Sequence, residues 1–327
     1  MEMRGNDLLL KKAWQEQRCP HCNRLLFKGR YELLEIKCPK CGTVQIFSAE
    51  RLPQRPTRVV ALNASNVDLY YAAGGCLVGR PNTSALAPEI LQKIKDIPVV
   101  GNTANPDIKQ IIALRPDLVL APSLPFHQSI IPALEHAGIP VYVQSLNSYP
   151  QIIDVLHFYG YLTGQEHQAH TVVKNLERRV RVLEGKTGGR STPRVLIIWG
   201  SSDNFTMALS NSFAGQLACR LRAVNVADEL TARAKTEMPF VRLQLEAVAN
   251  ANPDIILVIT HNVEAEVLAR FNQELVRNPV WKRIKAVRDN RVYKLPYSLF
   301  AVNPGTRIVE ALEYLSGLLY PEIGRSS

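Results

Sequence analysis

"IKQIIALRPDLVLA", residues 108–121, and "LEAVANANPDIILV", residues 245–258, align with each other without a gap. Each begins with apolar residues at helical spacing, turns at Pro-Asp, and ends in a continuous apolar run typical of a buried strand. A chain that carries one such unit twice is expected to hold two lobes of the same architecture.

The flanking sequence extends both copies. RVVAL (58–62), CLVG (76–79), DLVLA (117–121) and PVYVQS (140–145) read as strands of the first lobe. NASNVDLYYAAGG (63–75) and the stretches 106–114 and 128–137 read as its helices. VLIIW (195–199), DIILVIT (254–260) and RVYKL (291–295) are strands of the second lobe, and a last helix covers 303–318. Strands alternating with helices imply a parallel sheet covered on both faces.

From Tyr149 to Glu184 no strand pattern occurs. Ile152, Val155, Leu156, Tyr159 and Leu162, then Val172, Val173, Leu176, Val180 and Leu183, recur at helical spacing, with Gly160 and Gly164 as punctuation. The expected fold class is α/β: two similar parallel-sheet lobes joined by one long interlobe helix, preceded by a small zinc ribbon. The expected boundaries are ribbon 1–50, linker 51–57, N-lobe 58–148, interlobe helix 149–188 and C-lobe 189–327. Ligands of open α/β sheets sit beyond the carboxyl ends of the strands, so the loops facing the interlobe cleft are the expected binding surface.

The ribbon rests on RCPHCNRLLFKGRYELLEIKCPKCG (18–42). Each CxxC turn presents two thiolates, and two such knuckles complete a tetrahedron around zinc, so Cys19, Cys22, Cys38 and Cys41 are the expected ligands. LLF (25–27) and LLEI (33–36) read as the two strands of a hairpin. So small a module depends on its metal for folding energy. A disulfide-bonded ribbon is the alternative. CNRLLFK, IKCPKCG and the following Phe47 resemble the Com family of Mu-like phage regulators, zinc fingers that act on messenger RNA. That resemblance implies nucleic-acid contact through residues such as Arg24, Lys28 and Lys40; a structural or protein-docking ribbon is the other reading.

The chain has 327 residues, 46% hydrophobic and 21% charged, as expected of a soluble globular protein. It has no apolar run long enough to cross a membrane, and neither a signal peptide nor a lipoprotein cleavage site precedes the ribbon. The sequence as written is therefore expected in the cytoplasm, where Cys76 and Cys219 are expected to be buried free thiols. Net charge is +10. Residues 1–58 hold twelve Lys/Arg and six Asp/Glu, which suits RNA, DNA or another anionic partner; a solvated basic face is the plainer reading.

Residues 57–321 resemble the class III periplasmic binding proteins, the substrate-capturing subunits of importers for iron–siderophores, vitamin B12 and heme. RVVALNASNVDLYYAAGG, LVGRPNTSALAPEI, VVGNTANPDIKQIIALRPDLVLA and AGIPVYV carry the match in the first half. NSFAGQLACRLRAVNVAD, PFVRLQLEAVANANPDIILV and AVRDNRVYKL carry it in the second. The resemblance implies a stiff hinge and a large flat or greasy ligand: an iron chelate or a tetrapyrrole such as heme, cobalamin or a siderophore. Candidate cleft residues are Asn66, Arg80, Asn82, Thr83, Asn102, Phe126 and His127 in lobe one. Lobe two offers Trp199, Phe205, Phe240, Arg242, His261, Tyr297 and Phe300.

Similarity to the heme-binding branch implies that His261, after a late strand, can ligate heme iron; a helix-capping or solvent-facing role is its alternative. The Met that the branch supplies from the VGN loop is absent from Gly101–Asn105, with His127 as a substitute. The family docks on a permease through one acidic residue per lobe. Glu246 holds that place in lobe two, whereas Lys109 stands at the matching place in lobe one, with Asp107 nearby. The readings carried forward are a non-catalytic chelate binder read out through its ribbon, an importer subunit with an atypical N-terminus, and a chelatase-like tetrapyrrole enzyme. Nothing in the sequence supports catalysis: GKTGGRS (185–191) lacks the spacing of a phosphate loop and follows a helix.

Overall fold

The computed structural model describes residues 15–18, 25–29, 33–37, 44–48 and 55–322, except 145, 202–203, 232–237, 261–263 and 302. Four strands precede residue 49. β1 (Gln15–Arg18) pairs antiparallel with β2 (Leu25–Gly29), and β3 (Leu33–Lys37) with β4 (Val44–Ser48). The single hairpin expected from LLF and LLEI is thus corrected: these are the inner strands of two separate hairpins. The reason lies in the spacing, since each CxxC pair falls in sequence between two paired strands. The cysteines themselves lie outside the described residues.

The first lobe contains β5 (Val59–Ala61), α1 (Ala64–Ala72), β6 (Leu77–Asn82), α2 (Pro88–Lys93), β7 (Val99–Asn102) and β8 (Asn105–Pro106). It continues through α3 (Ile108–Ala113), β9 (Leu118–Pro122), α4 (Pro125–His136) and β10 (Val141–Gln144). Its sheet runs β10-β9-β5-β6-β7-β8, parallel except for the last pair. The second lobe contains β11 (Arg194–Gly200), β12 (Phe205–Ala208), α7 (Phe213–Arg220), β13 (Val224–Asn225), α8 (Val226–Thr231) and β14 (Phe240–Arg242). Then come α9 (Leu245–Ala251), β15 (Ile255–Thr260), α10 (Glu264–Phe271), α11 (Lys285–Arg288), β16 (Val292–Lys294), α12 (Tyr297–Phe300) and α13 (Ile308–Leu319). Its sheet, β14-β12-β11-β15-β16, is parallel through β11, β15 and β16; β12 and β14 add an antiparallel extension.

The sequence repeat is repeated in atomic detail. The Asp117 side chain accepts the Arg58 N–H at 2.9 Å, and the Asp117 N–H donates to the Arg58 carbonyl at 2.9 Å. In lobe two the Asp254 side chain accepts the Arg194 N–H at 3.0 Å, and the Asp254 N–H donates to the Arg194 carbonyl at 2.8 Å. Each arginine turns back to cap the repeat helix: Arg58 donates to Leu114 O at 2.7 Å and Arg194 to Ala251 O at 3.3 Å. An Arg–Asp lock therefore fixes the start of the first strand against the Pro-Asp turn in each lobe.

Helix ends match too. Left-handed turns at Gly74, Arg115 and Gly138 in lobe one have counterparts at Arg222, Asn252 and Asn290 in lobe two. Gly74, Gly138, Arg222 and Asn290 each end a helix whose next N–H reaches back five residues, to Tyr70, Leu134, Ala218 and Ala286 respectively.

The expected interlobe rod is made of two helices, broken at Gly164, one of its two punctuating glycines. α5 (Tyr149–Thr163) ends at Gly164, in left-handed conformation, and α6 (Glu166–Thr187) begins two residues later. Gly160 lets them pack closely: a Cβ there would lie 2.5 Å from Ala169 Cβ. Ala169, Val173, Leu176, Val180 and Leu183 form the buried stripe of α6, a spacing of alternately four and three residues that keeps one face inward. The N-terminal end of α6 is held to lobe one, with Gln168 donating to Ala72 O at 3.0 Å. Its middle and end are held to lobe two through the Arg179–Glu313 and Glu184–Arg220 ion pairs.

Packing follows this plan. One continuous core lines the rod-side face of both sheets, from Val59, Ala61 and Leu120 through α5 and α6 to Val195, Ile197 and Leu312. The outer faces have separate cores: Val60, Val119, Ile130 and Leu134 in lobe one, and Leu196, Ile198, Val258 and Trp281 in lobe two. The lobes share a spine and do not merge.

A second joint lies before α13. Ser65 donates to Asn303 O at 2.7 Å, Asn303 to Leu146 O at 2.6 Å, and the Thr306 N–H to the Asp68 carboxylate at 2.6 Å. Gly305 approaches so closely that a Cβ would meet Asp68 Oδ2 at 2.2 Å. Asp68 is buried, and burial pushes its pKa up to about 6 against the lowering effect of the Thr306 hydrogen bonds and Arg307.

Candidate functional site

Where the first sheet reverses its winding defines the site. From β5 the chain moves out to β6 and β7, then crosses back to β9, so the switch point lies between the carboxyl ends of β5 and β9. In the second sheet β13 adds on one side of β11 and β15 on the other, giving a switch point between β11 and β15. Crevices at such points are where open α/β sheets bind ligands.

The two carboxyl edges face each other. Ser65 follows β5, Leu146 follows β10, and their partner Asn303 follows β16 through α12. These contacts, with α5 and α6, close the rod side. The outer cores remain separate.

Lobe one contributes a pocket of about 530 Å³ lined by Asn82, Val99, Gly101, Asn102, Asn105, Asp107 and Lys109, among others. It sits at the carboxyl ends of β6 and β7. The Asn102 side chain accepts the Asn105 N–H at 2.8 Å, which holds the β7–β8 turn, and Gly101 (φ 88°) leaves no room for a Cβ beside the Asn105 carbonyl. Asp107 caps α3 by accepting the Gln110 N–H at 3.0 Å.

Lobe two contributes a face of its antiparallel extension. Trp199, Thr206 and Arg242 lie opposite one another across β11, β12 and β14, level with the carboxyl edge. Phe240 shares that face, 39% exposed, with its ring 5.5 Å from Trp199. Arg242 is exposed and forms no ion pair among the described residues. The face pairs π surface with a cation, suited to a flat ligand with acidic rim groups.

Several expected wall residues do other work. Asn66 is fully buried and bonded to Gln144 and Tyr159; as the third residue of α1 it turns inward. Arg80 spends its guanidinium on main-chain carbonyls, Ile94 O at 2.9 Å and Pro81 O at 3.3 Å, capping the end of α2. Thr83 accepts the Ala85 N–H at 3.2 Å in a local turn. Phe205 lies in the outer core of lobe two, edge-on to Phe271 at 5.6 Å, because alternation along β12 sends it to the face opposite Thr206. Phe300 is buried in the shared core beside α13. Tyr297 is half-buried at the start of α12, and burial raises its hydroxyl pKa. Cys76 and Cys219, expected to be buried, are both exposed. His261 and the four ribbon cysteines lie outside the described residues.

Phe126 and His127 open α4 just beyond β9. Phe126 is 38% exposed, and His127 is fully buried. Burial pushes the His127 imidazole down to about 4. On the surface, Glu246 is exposed in the first turn of α9, Lys109 is exposed at the matching place in α3, and Asp107 precedes it. Sequence reasoning passed over the lobe-one pocket residues Val99 and Asn105. It also missed the Arg–Asp locks, although TRVV with RPDLVL and PRVL with NPDIIL were visible in the sequence.

Comparison with known proteins agrees with this architecture. Residues 13–58 match the family described as Mu-like prophage protein Com. The High-affinity heme uptake system protein IsdE of Staphylococcus aureus (strain MRSA252) is 25% identical over 247 residues, 75% of this chain and 81% of that protein. A substrate-binding protein of an ABC transporter from Listeria monocytogenes EGD-e superposes with a TM-score of 0.72 at 25% identity, over 82% of this chain and all of that one. The S. aureus IsdE structure complexed with heme gives a TM-score of 0.71 at 24% identity, over 81% of this chain and 99% of that one. Residues 59–299 match the family described as Periplasmic binding protein, and the chain belongs to it.

Proposed function

We propose that this chain is a non-catalytic binder that holds one metal chelate, of the heme, cobalamin or siderophore class, between its lobes. The observation that carries the reading is the facing of two carboxyl edges across separate outer cores, with an aromatic and cationic face on lobe two. The names of its relatives support it, since IsdE is a heme uptake protein and is seen complexed with heme. Phe240 and Trp199 would stack on the chelate while Arg242 meets acidic rim groups. His261 is the lobe-two candidate to ligate a metal.

A thermal-shift screen of the full chain with hemin, cobalamin and ferric siderophores tests this. A tight ligand raises the melting temperature by mass action; no shift with any of the three would overturn the reading.

The ribbon is the chain's own zinc site on this account. Its donor set, four thiols in two CxxC pairs, suits tetrahedral zinc. Zinc analysis should give one ion per chain, lost when all four cysteines are replaced by serine. Its excess positive charge supports contact with RNA or DNA, through which chelate binding would be read out. Salt-dependent binding of RNA by the full chain, reduced by Arg24→Ala and Lys28→Ala, is the expected result.

An importer subunit is the second reading, favoured by the relatives' roles and by exposed acids, Asp107 and Glu246, one on each lobe. Cell fractionation separates the two: recovery outside the cytoplasm would favour the importer subunit and sink the ribbon-coupled sensor.

A further inference from the structure

His127 is the only buried histidine among the described residues, and neither of its ring nitrogens has a hydrogen-bond partner. An imidazole carries one donor and one acceptor when neutral. Stranding both away from water opposes folding, and groups so placed are normally completed by a water, an ion or a ligand.

Topology gives the place its meaning. His127 lies in the first turn of α4, five residues past the end of β9, beside the lobe-one switch point. α4 packs on the outer core of lobe one through Ile130 and Leu134. Leu124 at the N-cap offers no side-chain hydrogen bond, and the turn is held by its carbonyl, which accepts the His127 N–H at 2.9 Å. Over the imidazole lies the half-exposed ring of Phe126, with centroids 4.7 Å apart. The pocket lining supplies amides, a carboxylate and an amine but no sulfur or imidazole donor.

We propose that His127 is a latent lobe-one donor to the metal of the bound chelate, uncovered when Phe126 swings off it. The inference rests on the chelate reading above. The Phe126 ring would then move from the imidazole to the ligand face, an exchange of one stacking partner for another. The free protein keeps the donor covered, and the complex satisfies the nitrogen.

Hemin added to the full chain is the probe, read by absorbance and electron paramagnetic resonance. The wild-type complex should contain six-coordinate, low-spin iron. His127→Leu should bind hemin at least about tenfold more weakly, by analogy with the cost of perturbing a metal site, and leave the iron five-coordinate and high-spin. His127→Met should restore six-coordination with a thioether signature, which a merely structural residue would not do. Without hemin, His127→Leu should melt no lower than wild type, since it removes two unpartnered nitrogens. If it fails to fold, Phe126→Ala serves: it should speed hemin capture by removing the cover. Hemin binding with the same spectrum in wild type and His127→Met would overturn the assignment of His127 and leave the chelate reading intact. No saturable hemin signal in wild type would overturn the heme form of that reading together with this inference.

Discussion

Lobe one and lobe two are built on one skeleton and finished differently. Both use an Arg–Asp lock between the first strand and the Pro-Asp turn, and both use three left-handed helix ends. Lobe one places glycine at two of those three ends, whereas lobe two places Arg222, Asn252 and Asn290 there. Lobe one keeps a nearly all-parallel sheet with a polar pocket at its edge; lobe two adds β12 and β14 and gains Phe240 and Arg242. What repeats is scaffold, and what departs from the repeat is the candidate site.

The largest test strikes the spine that both lobes share. Leu176 of α6 is buried in the continuous core, so Leu176→Ala should cost about 3 kcal/mol, within the range for buried leucines. Denaturant unfolding should show it lowering both lobes together, in one transition. Loss of stability in one lobe alone would break the idea of a common spine.

Next come the twin locks. Asp254→Ala should cost about 2 kcal/mol and Asp117→Ala about 1 kcal/mol, because Asp254 is less exposed and also holds Lys285 at 2.6 Å. Burial alone would raise the Asp254 pKa, but the Lys285 ion pair and the Arg194 N–H outweigh it and hold the carboxyl below its ordinary range. Its contribution is therefore present above the ordinary carboxylate pKa and lost as pH falls through the lower folded value. Melting curves of the two variants between pH 7 and about pH 3 would show whether the locks are equivalent.

The interlobe joint gives the opposite sign. With a folded pKa of about 6, Asp68 binds its proton more tightly in the native state than when unfolded. It stabilises most below the unfolded value, and that contribution fades as pH rises through about 6. Asp68→Asn should flatten this dependence and raise stability at pH 7 by on the order of 1 kcal/mol. Gly305→Ala, by contrast, should lower stability at every pH by pushing a Cβ into the carboxylate.

The smallest effect concerns the helix ends. Arg115 (φ 45°) and Arg222 (φ 66°) occupy conformations that glycine takes without strain. Each Arg→Gly change should be neutral or stabilising by roughly 0.5 kcal/mol, while Gly138→Ala should cost about 1 kcal/mol. Calorimetry on these variants sharpens the comparison of the lobes at its finest level.

Much of the scaffold was legible because it obeys simple periodicities. The ungapped repeat at 108–121 and 245–258 announced two lobes, and the stripe through Leu176 and Val180 announced the rod. The break at Gly164 was visible only as punctuation, since a glycine can continue a helix or end it in left-handed form. The antiparallel β12–β14 extension was missed because FTMA and FVR are too short to show alternation. Site residues were harder to read. Phe205 and Trp199 are both aromatics near strand ends, yet they lie on opposite faces of the sheet, Phe205 in the outer core and Trp199 half-buried against the shared one. Arg80 was read only as a candidate cleft residue, and its guanidinium caps a helix through carbonyls that only the fold brings within reach.

Stoichiometry tests the central claim most directly. Two repeated lobes could each hold a ligand, or both could share one. Absorbance titration of the full chain with hemin should saturate at one per chain and weaken about tenfold in the Phe240→Ala, Arg242→Ala double variant. Saturation at two per chain, or a titration that the double variant leaves unchanged, would contradict a single site formed where the lobes differ.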